Sequence, residues 1–229
     1  MGPDGKKEGK QKKGGFAAYA LIGFCLILAG VIVAGYPWIK AAYFEFRKSN
    51  LLSRWERAAA AGELPAAREY SPSYSSEDFF EGIFVEETDP GYDEEYIFEN
   101  VVGVITIEKI NLRSVILHGV TSRNLDLAIC VVDGSPGMGR EGNYCLAGHK
   151  SRIYGRHFNR LQELRAGDII LLSDGVDEYR FAAVHTEHIS PEDDWVLMDT
   201  PGETIVTLIT CDYSVTPVGR FIVVCEPAK

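Results

Sequence analysis

Short apolar runs separated by turn residues dominate the chain after position 101. Their alternating or β-branched character over about five to nine residues is typical of strands. Asp174-Gly175, between two of the runs, is typical of a hairpin turn. Seven or so short strands with short connections predict a mainly β fold, a closed barrel or a sandwich, rather than a doubly wound sheet. The runs lie at 101–107, 113–119, 143–149, 168–173, 178–186, 203–211 and 220–226.

Helical patterns are few. Residues Ser122–Val131 and Tyr154–Leu164 predict two short helical segments between the strands. Lys40–Ala61 contains strong helix formers, with apolar residues near helical spacing, and predicts a longer helix before the β-rich body.

Residues 16–39 contain no charged side chain. A helix needs about 20 apolar residues to cross the hydrocarbon core of a membrane. Five lysines precede this stretch, and basic residues favour the cytoplasmic side, so the body after it should face outward. A cleaved signal peptide is the alternative, but its apolar region is shorter, about 7–15 residues. We therefore predict a cytoplasmic tail over 1–15, a transmembrane helix over 16–39 that contacts membrane lipid, a juxtamembrane helix and linker over 40–100, and a catalytic body over 101–229.

The net charge is −10, and the body after residue 39 is more acidic, with 18 basic and 31 acidic residues. Such a surface is a poor match for phosphates, so nucleic acid is excluded as a partner. Residues 77–99 hold ten acids and no Lys or Arg, yet many aromatic residues are interleaved. We expect this segment to lie partly against the body, where a lid over the site is one hypothesis.

The chain has five cysteines. Cys130, Cys145 and Cys225 lie in apolar runs and are interpreted as small buried hydrophobic residues, although four cysteines of the body could form two disulfides in an oxidising compartment. Cys211 ends a β-run, and a period of two puts Ile205, Thr207, Ile209 and Cys211 on one face.

A thiol nucleophile needs a base or a cation nearby and donors for the developing oxyanion. Cys211, next to a polar turn, is the candidate nucleophile. His149 follows the run that begins at Asn143, and Arg220 begins the last strand, nine residues after Cys211. His118, His157, His185 and His188 lack a comparable context, although His118 and His185 also end apolar strands. Each residue alone has an ordinary structural explanation.

Taken together, these motifs resemble those of the sortase family. Thr-Leu-Ile-Thr-Cys at 207–211 resembles the sortase TLxTC signature, Ala147-Gly148-His149 its histidine strand, and Gly219–Val223 its arginine strand. Supporting similarity covers about residues 101–226, including 103–110, 156–161 and 166–168. The subclass is open, because 154–161 resembles class D enzymes whereas Cys211-Asp212-Tyr213 resembles class B. Asp89-Pro90-Gly91-Tyr92 faintly resembles the lid motif of class C.

The resemblance implies a closed sortase-like β-barrel of about eight strands with short helices. It implies a membrane-anchored cysteine transpeptidase that cleaves an LPxTG-like sorting signal and transfers the acyl group to an amine of a cell-wall precursor or a pilin. Cys211 would be the nucleophile, His149 the proton-transfer group and Arg220 the oxyanion and peptide ligand, with Thr210 touching substrate or simply forming sheet. The enzyme would be a single-pass protein with an extracellular catalytic body.

Two alternatives remain open. A Cys–His peptidase would use the same residues and release the acyl group to water, and a tethered binding barrel would make the triad accidental. No cofactor is expected. Glu192-Asp193-Asp194 could contribute oxygens to calcium, but such a site needs about six or more, and a solvated acidic loop is the preferred interpretation.

Overall fold

Eight strands close into a barrel in the structure, a computed structural model that describes residues 14–64, 94–151, 156–198, 200–216 and 218–228. Around the barrel the strand order is β1-β2-β3-β4-β7-β8-β6-β5. The pairs β2–β3 and β4–β7 are parallel, and the other neighbours are antiparallel. The strands are β1 Val101–Ile107, β2 Leu112–His118, β3 Ile129–Val131, β4 Gly142–Ala147, β5 Ile169–Ser173, β6 Glu178–Ile189, β7 Thr204–Asp212 and β8 Gly219–Pro227. The predicted barrel of about eight strands is confirmed.

Three α-helices accompany the strands within the described residues. They are α1 Gly14–Ala61, α2 Glu94–Glu99 and α3 Ser122–Leu127. Short 3-10 helices occupy Glu108–Ile110, Leu161–Glu163 and Trp195–Leu197. The chain divides into two compact units, Met1–Tyr43 and Phe44–Lys229, and α1 has residues in both.

One predicted helix is wrong in its second half. The helix expected over Ser122–Val131 ends at Leu127, and Ile129–Val131 forms β3. Thr121 caps the helix by accepting a hydrogen bond from the Asn124 N–H. The apolar residues after Ala128 instead pair with β2 on one side and β4 on the other, so tertiary pairing decides their conformation.

The helix expected over Tyr154–Leu164 is also reduced. Residues 152–155 lie outside the described residues, and from 156 onward only Leu161–Glu163 is helical, in the 3-10 form. His157 has a left-handed backbone with φ of 49° and forms an isolated bridge with Lys150. A residue in this conformation cannot continue a right-handed helix.

Alternation along the strands creates two apolar layers. In β7, Val206 and Leu208 join the barrel interior, whereas Ile209 joins the layer outside the barrel. The outer layer is covered by the second half of α1, by α2 and by α3; the covering side chains include Leu51, Trp55, Ile97, Phe98, Leu125 and Leu127. The burial of Ile97 and Phe98 confirms that the end of the acidic segment packs against the body. Residues 77–93 of the proposed lid lie outside the described residues.

The N-terminal region is helical where a membrane helix was predicted, since α1 runs without interruption from Gly14 through the predicted juxtamembrane helix to Ala61. Within the described residues, no helix has the length and apolar character needed to cross a membrane. The predicted span over residues 16–39 is therefore not confirmed, and the four segment boundaries stay predictions.

The contact of α1 with the barrel can be tested at Trp55, which is 4% exposed. We expect Trp55→Ala to lower the free energy of unfolding by about 3–5 kcal/mol, because a large buried side chain leaves a cavity. Denaturant unfolding measures this change. Trp195→Ala is the matched control, since Trp195 is 47% exposed and its loss should cost less than about 1 kcal/mol. Equal losses in the two variants would contradict this packing.

Candidate active site

Cys211 differs from the other cysteines of the barrel. All five cysteines are free thiols, and Cys211 is partly exposed near the end of β7, whereas Cys130, Cys145 and Cys225 are buried. Burial raises the pKa of Cys145 to about 12 and raises that of Cys130 well above its ordinary value, helped there by Asp133. The interpretation of these three as structural residues is confirmed, and Cys211 is the accessible thiol of the barrel.

Arg220 lies directly across from Cys211. The two residues are partners in the antiparallel pairing of β7 with β8. Directly opposite residues in such a pair have Cα atoms about 4.5–5.5 Å apart. The guanidinium is largely buried, and its Nη1 donates to the carbonyl of Gly219 at 3.1 Å. Strand pairing thus places a permanent positive charge beside the thiol.

His149 reaches the site from β4, which runs parallel to β7. Ala147 pairs with Ile209, and the Gly148 N–H donates to the Ile209 carbonyl at 3.0 Å. His149 follows immediately and therefore lies beside the end of the nucleophile strand. This parallel register brings together His149 and Cys211, which are 62 positions apart in the sequence.

Thr210 links the same two segments. Its side chain is buried, and its hydroxyl donates to the Gly148 carbonyl at 2.8 Å. The contact ties the backbone just before His149 to the backbone just before Cys211. Thr210 also borders the pocket described below, and contact with substrate stays a prediction for it.

Gly148 is required by close packing. A Cβ atom there would lie 2.6 Å from the Phe158 ring and 2.7 Å from Cδ1 of Ile129. Since real Cβ atoms do not approach so closely, a larger residue would require Phe158, Ile129 or the backbone at Gly148 to shift. The side chains of Phe158 and Ile129 thus approach this glycine closely.

One pocket contains all three predicted catalytic residues. Its empty volume is about 320 Å³, including space open to solvent. The predicted constellation is thus assembled from β4, β7 and β8 at one end of the barrel. The lining residues are Leu125, Ala147, Gly148, His149, Ile209, Thr210, Cys211 and Arg220.

The environment of His149 keeps its imidazole mainly neutral near pH 7. Burial lowers the pKa of His149 below 6.5, Asp126 opposes this shift, and Arg156 adds to it. The Asp126 carboxylate in α3 is 3.8 Å from His149 Nε2. A neutral imidazole can accept a proton, and the nearby carboxylate favours the protonated form that results.

Asp126 also connects the site to α1. Its backbone carbonyl accepts a hydrogen bond from Arg156 Nη2 at 2.6 Å, and Arg156 Nε lies 4.0 Å from a carboxylate oxygen of Glu45 in α1. His157 Nε2 lies 3.2 Å from the same carbonyl. Asp126 carries no sequence motif, and its only local signal is an acid in a short helix.

The acidic loop at 192–194 does not form a metal cage in the described residues. The Asp193 carboxylate accepts a hydrogen bond from the Ser190 N–H at 2.7 Å. No group of three or more His, Cys, Asp or Glu side chains is placed to hold a metal ion in the part of the chain that the structure describes.

The role of Asp126 can be tested by titration. We expect Asp126→Asn to lower the pKa of His149 further, because the variant removes the nearby charge that raises it. NMR titration of the imidazole resonances measures the shift, with His149→Ala used to assign the signal.

A matched control is available in β6, where His185 Nε2 lies 3.0 Å from the Glu187 carboxylate. Glu187→Gln should leave the titration of His149 unchanged. If Asp126→Asn leaves it unchanged as well, the carboxylate does not act on the imidazole.

Comparisons with known proteins agree with this geometry. A family model described as the sortase domain matches residues 105–228, more than half of the chain. Sortase A of Bacillus anthracis is 34% identical over 113 residues, which cover 49% of this chain and 53% of that relative. Sortase A of Listeria monocytogenes is 30% identical over 134 residues, covering 58% and 60%. The chain thus matches little more than half the length of these curated relatives.

A solved structure extends the similarity in fold. The sortase D5 transpeptidase of Clostridium perfringens superposes with a TM-score of 0.57 over 80% of this chain and 99% of that chain. Its sequence identity is 22%, so the likeness concerns the fold alone.

Proposed function

Since this chain belongs to the sortase family, whose domain model matches residues 105–228, we propose that it is a cysteine transpeptidase with Cys211 as nucleophile. The observation that carries the proposal is the shared pocket of His149, Cys211 and Arg220. These residues supply a thiol, a proton-transfer group and a cation, which together suit acyl transfer through a thioester.

The first step forms the acyl-enzyme. Neutral His149 accepts the proton of the Cys211 thiol, and the resulting thiolate attacks the carbonyl carbon of the scissile peptide bond, so that negative charge develops on the carbonyl oxygen. Arg220, with a backbone N–H, stabilises that oxyanion. As the intermediate collapses, protonated His149 gives its proton to the leaving amine, and the thioester remains on Cys211.

The second step releases the acyl group to an amine. The nitrogen of the incoming amine attacks the thioester carbonyl, and neutral His149 accepts a proton from that amine. Collapse of this intermediate forms a new amide bond and returns Cys211 as a thiolate beside protonated His149. The burial that lowers the pKa of His149 favours the neutral base needed in this step.

The donor and acceptor proposed are those of the family. The donor is an LPxTG-like sorting signal of a secreted surface protein, cleaved between Thr and Gly, and the acceptor is an amine of a cell-wall precursor or a pilin. The resemblance of the motifs around Cys211, His149 and Arg220 supports this assignment.

Peptide transfer tests the roles of the site residues. We expect Cys211→Ala to abolish formation of the acyl-enzyme, observed by mass spectrometry with an LPxTG peptide. Arg220→Ala should raise the barrier by on the order of 3 kcal/mol, the cost of losing one oxyanion donor. Arg180→Ala in β6 is the control and should transfer normally. Near-normal peptide transfer by Cys211→Ala would contradict the proposed role of Cys211.

The fate of the acyl group separates a transpeptidase from a Cys–His peptidase. With peptide and an added amine such as triglycine, the amide product should predominate over the hydrolysed acid. Equal yields of acid with and without the amine would favour the peptidase. The same assay with EDTA should show unchanged transfer, since we propose that no metal cofactor is needed.

We also propose that residues 16–39 anchor the protein in the cell membrane with the barrel outside. The uncharged stretch and the five preceding lysines support this. The full chain should sediment with membranes. Protease added to intact protoplasts should digest its residues 44–229, because they lie outside the cell. Protection from protease, or release from membranes in salt, would contradict the anchor.

A further inference from the structure

A carboxylate lies behind the nucleophile, on the opposite face of β7. Asp212 is the last residue of the strand, and its side chain is fully buried. Neighbouring residues in a strand point to opposite faces, so Asp212 points away from the pocket that Cys211 borders. Asp212 is also not among the residues that line this pocket.

Five donor atoms surround this carboxylate. One oxygen, Oδ1, accepts hydrogen bonds from the Ser214 N–H at 3.0 Å, the Ser214 hydroxyl at 2.7 Å and Gln162 Nε2 at 3.3 Å. Lys150 Nζ lies 3.6 Å from the same oxygen. The other oxygen, Oδ2, lies 2.6 Å from Nδ1 of His188. An ionised carboxylate only accepts hydrogen bonds, so it suits this ring of donors.

The carboxylate is held in its ionised form. Burial alone would raise the pKa of Asp212, but the hydrogen bonds from Ser214 and His188 outweigh it and lower the pKa below its ordinary value. Lys150 in turn donates to Gln162 Oε1 at 2.9 Å, which closes the network.

Three partners of Asp212 lie close to predicted catalytic residues in the chain or in the strand pairing. Lys150 follows His149 in the chain. His188 in β6 pairs with Phe221, the residue after Arg220, and the two rings pack edge to face with centroids 4.9 Å apart. Ser214 lies in the turn that follows β7, three residues after Cys211.

We infer that Asp212 is a positioning residue, which ties together the strand ends that carry Cys211, His149 and Arg220. The role rests on the proposed function of these three residues. Buried ion pairs add little net stability but can specify one arrangement. Here the network joins β6, β7 and the segment after β4 from behind the pocket, where no substrate contact is needed.

Asp212→Asn is the direct test, with Asp174→Asn as its matched control. Asp174 also accepts several hydrogen bonds, from the N–H groups of Val176 and Asp177 and from the Tyr179 hydroxyl, but in the β5–β6 turn. At a temperature where both variants are folded, Asp212→Asn should lower kcat for peptide transfer about tenfold or more, with KM changed less than about twofold. Asp174→Asn should leave both unchanged.

His188 provides a second pair of variants in case Asp212→Asn does not fold. His188→Leu removes the donor to Asp212 and should lower kcat, whereas the side-chain amide of His188→Asn can donate in its place and should restore most of it. Unchanged kcat in Asp212→Asn, or equal kcat in His188→Leu and His188→Asn, would show that the network is merely structural and would overturn the inference.

A readout without sorting peptide keeps this inference separate from the proposed function. The rate of alkylation at Cys211 by iodoacetamide, mapped by mass spectrometry, is followed against pH. We expect the profile of Asp212→Asn to move towards that of His149→Ala, because the imidazole is misplaced. A profile that is unchanged from that of the unmodified protein, or that moves away from that of His149→Ala, would contradict positioning. Absence of transfer by the unmodified protein would instead count against the proposed function.

Discussion

The parallel pairing of β4 with β7 is the constraint on which the site depends. It places Ala147 beside Ile209. Two residues further along each segment lie His149 and Cys211. The Gly148 N–H and the Thr210 hydroxyl fasten these continuations to each other. The antiparallel partner β8 brings Arg220 to the other side of Cys211. Backbone register thus decides which side chains meet at this end of the barrel.

The register at this end of the barrel is supported from both faces. Outside the barrel, Asp126 contacts His149 and is connected through Arg156 to Glu45 of α1. On the opposite side of β7, Asp212 gathers His188, Gln162 and Lys150. Both supports are polar, Asp126 in helix α3 and Asp212 at the end of β7, and both act where apolar packing alone does not determine which way a side chain points. The apolar layers hold the barrel, and these polar contacts direct the groups at its end.

The sequence predicted what local pattern determines. Alternation located seven strands, and the motifs identified Cys211, His149 and Arg220, which the structure places in one pocket. The local pattern predicts a helix for the three residues of β3. Their strand conformation depends on pairing with β2 and β4, which a local pattern does not contain. The sequence predicts a polar turn directly after Cys211, yet the side chain of Asp212 is fully buried. Its partner His188 had no local signal, since their contact spans 24 residues and two strands.

Closure of the barrel limits how a peptide can be recognised. The closed strand order gives each of the eight strands a neighbour on both sides. Peptides that bind by extending a sheet need an open edge whose main-chain groups are unpaired. If the proposed peptide binds at Cys211, side chains and loop backbone around the pocket would recognise it. Such recognition leaves the choice of peptide to residues that can change without disturbing the pairing of the strands.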